Sequence, residues 1–196
     1  MSMTWLLLAT GFTGGMALVF VLRWLYSALV TAPSVAVHFS PEGGCTNAVV
    51  NELLHARHEI LVQAYSFSSK PIAEALIAAK KRGVRVEILL DHSNEQEPYS
   101  DLHWFVEAGL HPLIDAKHPI AHNKVMIVDK RTLITGSFNF TRQAEHENAE
   151  NLLVLRGHWE LIDAYRKNFL AHQEHCQAPG TAKVPDSPKR FIKAAA

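Results

Sequence analysis

The stretch PIAHNKVMIVDKRTLITGSFNF, residues 119–140, decides how this chain is read. Residues 124–128 and 132–135 are two short runs rich in apolar and β-branched side chains, separated by Asp129-Lys130-Arg131. That pattern predicts a β-hairpin. His122 and Lys124 lie at the start of the first strand, two residues apart, so both side chains project to one face. A nucleophile or proton carrier and a fixed cation then share a patch. Asp129 follows after four residues, and Gly136, Ser137 and Asn139 come after six more, giving H-x-K-x4-D-x6-G-S-x-N. A lone His-x-Lys arises often by chance; six set positions within eighteen residues do not.

Upstream of the hairpin, 34–39 reads as a short strand and 46–57 as a helix with Val49, Leu53 and Ala56 at helical spacing. Residues 60–65 form a strand, 71–81 a helix opened by Pro71 and closed by Gly83, and 84–90 a strand ending at Asp91. This β-α-β-α-β order predicts a mainly parallel, buried sheet with helices on its faces. After a polar loop at 92–98, residues 101–108 read as helix and 111–114 as a short strand. Downstream of the hairpin, 152–155 is a last strand and 158–175 a closing amphipathic helix. The chain contains no internal repeat.

Composition bounds the function. The 196 residues suit one domain with a margin left over. Nineteen Lys plus Arg balance nineteen Asp plus Glu, so no bulk basicity announces a polyanionic partner, and any polyanion must be held by a local site. Of the first 30 residues, 21 are apolar, and Arg23 is the one charged side chain before Glu42. Segment 1–32 therefore reads as an uncleaved membrane anchor. The alternatives are a cleaved signal sequence, with the body periplasmic, and a buried core helix. Against cleavage stand the missing basic n-region and Pro33 after the best exit, Val30-Thr31-Ala32. Residues 178–196, with Pro179, Pro185, Pro188 and several Lys and Arg, read as a disordered basic tail.

Two cysteines, Cys45 and Cys176, exclude a disulfide framework while allowing a single bridge. His55, His58, His92, His103, His111 and His158 lie in helices or polar loops without a partner placed by spacing, and read as surface histidines. His172, His175 and Cys176, with Cys45 as a further candidate, fall short of four zinc ligands at recognisable spacing. The motif region offers only Asp129 and Glu150 as carboxylates, too few for a two-metal cage, so no metal or cofactor is expected there.

The six motif residues, His122, Lys124, Asp129, Gly136, Ser137 and Asn139, resemble the signature of the phospholipase D superfamily position by position. Ser40-Pro41-Glu42-Gly43, Ala64-Tyr65-Ser66-Phe67, Ala79-Lys80-Lys81-Arg82-Gly83-Val84 and Gly136-Ser137-Phe138-Asn139-Phe140-Thr141 are similar to its small bacterial single-motif endonucleases. The resemblance runs from about Pro33 to His175. It implies an α/β catalytic domain over 33–177, with a mixed β-sheet flanked by helices on both faces. It also implies metal-independent hydrolysis of DNA or RNA through a phosphohistidine on His122. Lys124, Ser137 and Asn139 would contact substrate, and Glu150 would orient the histidine. Asp129 would tie down the hairpin, and Ser137 would make local hydrogen bonds. With one motif per chain, the second histidine, the acid for the leaving group, would come from an identical subunit in a homodimer; another histidine of the same chain, such as His118, is the competing source. Because the superfamily includes lipid-cleaving members, among them a small mitochondrial group with an N-terminal anchor, a lipid phosphodiesterase is the alternative.

Overall fold

Five strand directions agree and two oppose them in the sheet that organises this protein, a computed structural model describing residues 15, 16, 18–22, 32–97 and 100–181. The elements are β1 (Ser34–Ser40), α1 (Cys45–His55), β2 (Glu59–Ala64), β3 (Phe67–Ser68), α2 (Lys70–Lys81), β4 (Arg85–Asp91), a 3-10 turn (His92–Glu95), α3 (Leu102–Glu107), β5 (Leu113–Asp115), β6 (Lys124–Val128), β7 (Thr132–Gly136), β8 (Phe140–Thr141), α4 (Arg142–His146), β9 (Glu150–Arg156) and α5 (Trp159–Gln173). Seven strands form one sheet in the order β1-β9-β7-β6-β2-β4-β5, and β3 pairs with β8 in a small parallel ribbon. The sheet is mixed: β2, β4 and β5 are parallel, and every other neighbouring pair is antiparallel.

The mainly parallel sheet expected from the β-α order holds only for β2, β4 and β5, and four of the six neighbouring pairs are antiparallel. β1 does not neighbour β2; β9, β7 and β6 lie between them. A β-α-β pattern sets strand direction, and β1 and β2 do run the same way. It does not set adjacency, which here depends on the downstream strands that wedge between them. The ribbon β3-β8, the short helix α4 and the 3-10 turn also go beyond the sequence reading. They are too short to show a period.

Alternation along the strands builds two cores. Ile60, Val62 and Ala64 of β2, with Met126 and Val128 of β6 and Leu152 and Val154 of β9, pack under α1, α2 and α3. Leu61, Leu89, Val125, Ile127 and Leu133 face the other way, against Ile162 and Phe169 of α5. Helices therefore cover both faces. Phe67, Phe105, Phe138 and Phe140 are fully buried, each contributing about 1.5–3 kcal/mol. The hairpin between β6 and β7 turns through Asp129 and Lys130, with φ of 51° and 55°, the left-handed pair that matches the twist of the flanking strands.

Of the expected N-terminal anchor, residues 15, 16 and 18–22 are helical and exposed; the rest of segment 1–31, and tail residues 182–196, lie outside the described residues. Among the described residues, no helix is long and apolar enough to cross a membrane.

Candidate active site

One edge of the sheet gathers the chemistry. β1 ends there at Ser40, β2 at Ala64, β4 at Asp91 and β7 at Gly136, while the opposing strands β6 and β9 begin there at Lys124 and Glu150. The register sets the neighbours: Ala64 pairs with Lys124, Gly136 with Leu152, and Ser40 with Glu150. Lys124 shares its face with Met126 and Val128, and Glu150 shares its face with Leu152 and Val154. Both side chains thus lie on the α1–α2 side of the sheet.

His122 is exposed, and its Nε2 is 3.2 Å from Nζ of the buried Lys124. The Tyr65 ring meets the imidazole edge-on at 4.5 Å between centroids and has Lys124 Nζ 5.2 Å from its centre. Desolvation lowers the pKa of Lys124, and the nearby Glu150 carboxylate partly restores it. Glu150 Oε1 accepts a hydrogen bond from Asn148 Nδ2 at 3.0 Å. No hydrogen bond joins Glu150 to His122 among the described residues.

The G-S-x-N segment is shaped by close approach to β9. Gly136 has φ 151°, and a Cβ there would lie 2.2 Å from the carbonyl oxygen of Asn151. Only glycine fits. Ser137 Oγ accepts from Asn151 N at 3.0 Å and from its Nδ2 at 3.2 Å, so Ser137 braces the start of β9. Asn139 Oδ1 is buried without a hydrogen-bond partner among the described residues. Asp129 stands apart from these groups, at the opposite end of β6; five residues of strand put it roughly 16 Å from Lys124. Its carboxylate accepts from the backbone N–H groups of Arg57, His58 and Glu59 at 2.8, 2.7 and 3.0 Å. The structure thus brings His122, Lys124, Ser137, Asn139 and Glu150 to one edge and leaves Asp129 to hold the hairpin.

Three residues that position this edge escape the sequence reading. Asp91 Oδ2, buried at the end of β4, accepts from Ala121 N at 2.7 Å and so holds the residue before His122. Buried Asn94 accepts from Phe67 N and donates to the carbonyls of Tyr65 and Asp91, fixing the Tyr65 loop. Tyr65 N in turn donates to Asn123 O at 2.8 Å. An acid in a polar loop after a strand gives no sign of which distant N–H it will accept. Tyr65 alone carried a signal, being adjacent to the end of a strand. Beside the edge, a cleft of about 380 Å³ runs along the α2 N-terminus, with Lys70, Arg142 and His146 in its wall.

The zinc candidates separate. Cys45 opens α1 and is buried in the core, its thiol pushed up to about 11 by burial and then by Glu145, whereas Cys176 packs on the α5 side of the sheet. Both cysteines are free. His172 and His175 instead converge with His118 on Asp115, a residue absent from the expected set.

A histidine just before a strand and a lysine at that strand's first position, with a carboxylate and an amide at the same edge of the sheet, define a phosphodiester hydrolase site. The chain belongs to the phospholipase D superfamily: residues 49–173 match the family described as cardiolipin synthase, PLD-like domain. It is 45% identical over 139 residues to a phospholipase D of Rickettsia bellii, covering 71% of this chain and 69% of that one. It is 31% identical over 187 residues to the human mitochondrial cardiolipin hydrolase, covering 81% and 72%. Its structure superposes on Nuc, a phospholipase D family member of Salmonella typhimurium, with a TM-score of 0.72 and 36% identity over 74% of this chain and 97% of that one.

Proposed function

We propose that this phosphodiester hydrolase is a metal-independent endonuclease that cleaves DNA or RNA through a phosphohistidine on His122, in a site shared by two identical subunits. The observation that carries the reading is the exposed His122 with Lys124 Nζ 3.2 Å from its Nε2. An ammonium donating to Nε2 leaves the imidazole proton on Nδ1, and when Lys124 turns from Nε2 to a phosphate oxygen the freed Nε2 lone pair attacks phosphorus. Lys124 and Asn139 then stabilise charge developing on the non-bridging oxygens. This set supplies its positive charge from a side chain and needs no divalent cation at the reacting phosphate.

The leaving oxygen must be protonated while His122 is bonded to phosphorus, so a second imidazole is required. A two-fold partner supplies one with no further motif. Val35, Val37 and Phe39 of β1 support a self-contact: they are 51%, 49% and 63% exposed, and the strip runs up to Ser40, the pairing partner of Glu150. The basic side chains Lys70 and Arg142, with His146, in a cleft wall that also holds Glu145, support a polyanionic substrate over a single head group. The second reading, a lipid phosphodiesterase, is favoured by the names of the rickettsial and human relatives and by the apolar head, which we propose holds the protein on a bacterial envelope membrane.

The test is the full chain in detergent, incubated separately with single-stranded DNA, duplex DNA, RNA and cardiolipin vesicles. Internal cleavage of nucleic acid with cardiolipin left intact is expected. Release of phosphatidic acid with nucleic acid untouched would transfer the function to the lipid reading.

A further inference from the structure

On the α5 side of the sheet, the geometry points to a zinc site made by Asp115, His118, His172 and His175. Asp115 ends β5 and His118 lies three residues on; His172 is in the last turn of α5, and His175, at the same spacing, is in the turn that follows it. Residues three apart on a helical turn share a face. One donor atom from each of the four lies within 4.8 Å of all the others. His172 Nδ1 is 2.7 Å from Asp115 Oδ2, His118 Nδ1 is 3.1 Å from Oδ1, and His175 Nε2 is 3.3 Å from Oδ1. The three rings pack at 4.9 to 5.3 Å between centroids.

Hydrogen bonding alone accounts poorly for this cluster. Three imidazoles aim a nitrogen at a single carboxylate, and His175 Nε2 is buried there without a hydrogen bond among the described residues. Full protonation would pack three cations around one anion. Three neutral imidazoles and one carboxylate are instead a four-donor set for a divalent ion. Tetrahedral zinc with bonds of about 2.0–2.2 Å sets its donors roughly 3.4 Å apart, which small rotations of these side chains achieve. Imidazole with one carboxylate suits zinc over the oxygen-seeking cations.

The site lies away from the reacting edge. Asp115 shares its face with Leu113, which packs in the α5 core, whereas Lys124 points to the opposite face. Three inter-strand steps from β5 to β6 give a separation of roughly 14 Å. What connects them is the segment after β5, which carries the ligand His118 and, four residues later, His122. Gln177 also exchanges two backbone hydrogen bonds with Ile114, at 2.7 and 3.0 Å, docking the chain beyond α5 against β5. A zinc ion here would fasten α5 to β5 and to the loop leading to His122. It is a structural ion, compatible with metal-free chemistry at the phosphate.

The experiment is zinc and cobalt binding to the full chain, made without a histidine tag and stripped by chelator in detergent. The expected result is one zinc per chain, a thermal midpoint raised by several degrees on zinc addition, and visible ligand-field bands of tetrahedral cobalt with nitrogen and oxygen donors. His172→Ala should lose the stoichiometric binding and the thermal shift while leaving nucleophile and lysine in place. If that variant fails to fold, the cobalt spectrum of the native chain decides alone. A folded native chain that takes up no stoichiometric zinc, a cobalt spectrum with sulfur-to-metal charge transfer or octahedral weakness, or a folded His172→Ala protein that binds like the native one would overturn the site.

Discussion

Lys124 Nζ stands 3.2 Å from Nε2 of His122, both held against the ring of Tyr65. The lysine therefore both selects the imidazole tautomer and waits beside the place where a phosphate oxygen must sit. His122→Ala should reduce phosphodiester turnover to background. Lys124→Ala should lower kcat by about 10²–10³-fold, the usual cost of one donor to a developing charge. Glu150→Ala should retain measurable turnover, because both imidazoles remain. Steady-state kinetics on folded variants check this ranking, and a Glu150→Ala protein as inactive as His122→Ala would refute it.

Asp91 touches none of the reacting groups, yet its carboxylate holds Ala121, the residue before His122. Asp91→Ala should lower kcat by up to about 10²-fold with little change in KM, as displacement of a reacting group by an ångström does. Asp91→Asn keeps an acceptor oxygen and should recover much of the loss. Equal defects in the two variants would assign Asp91 to folding rather than positioning.

Much of this site was legible in the sequence because its parts are local. The hairpin, the shared face of His122 and Lys124, and the glycine at 136 all follow from short-range spacing. Asp129 was legible only as a turn residue, because the N–H groups that its carboxylate accepts, those of Arg57, His58 and Glu59, belong to the distant entry to β2. Asp91, Asn94 and the Asp115 cluster were not legible, because each acts through strands far apart in the chain. His172 and His175 offered half of a ligand set, and only the pairing of β5 beside β4 and the docking of α5 supply the other half. The position of β1 failed for the same reason: its ladder with β9 spans more than a hundred residues.

Burial raises the Asp101 carboxyl to about 6, against which His103 acts weakly. The folded protein then holds a proton that the unfolded chain releases nearer 3.8. Between those values the native state binds more protons, so stability should fall as pH rises through that window and level off above it. Asp101→Asn should flatten this dependence. Urea unfolding at a series of pH values checks it, and an identical slope in both proteins would remove Asp101 as its source.

A site completed by a second subunit must weaken on dilution. Specific activity should fall in the concentration range where sedimentation shows dimers giving way to monomers. Constant specific activity in demonstrably monomeric protein would remove the shared site and return the acid role to a group of the same chain.

The most direct test of the central claim is capture of the covalent intermediate. Full-length protein mixed with a single-stranded DNA oligonucleotide, quenched in alkali within one turnover and digested, should yield a phosphorylated peptide carrying the modification on His122. The adduct should be acid-labile and should vanish on longer incubation as water releases it. Turnover that proceeds with no adduct on His122, or that survives in a folded His122→Ala protein, would contradict the account.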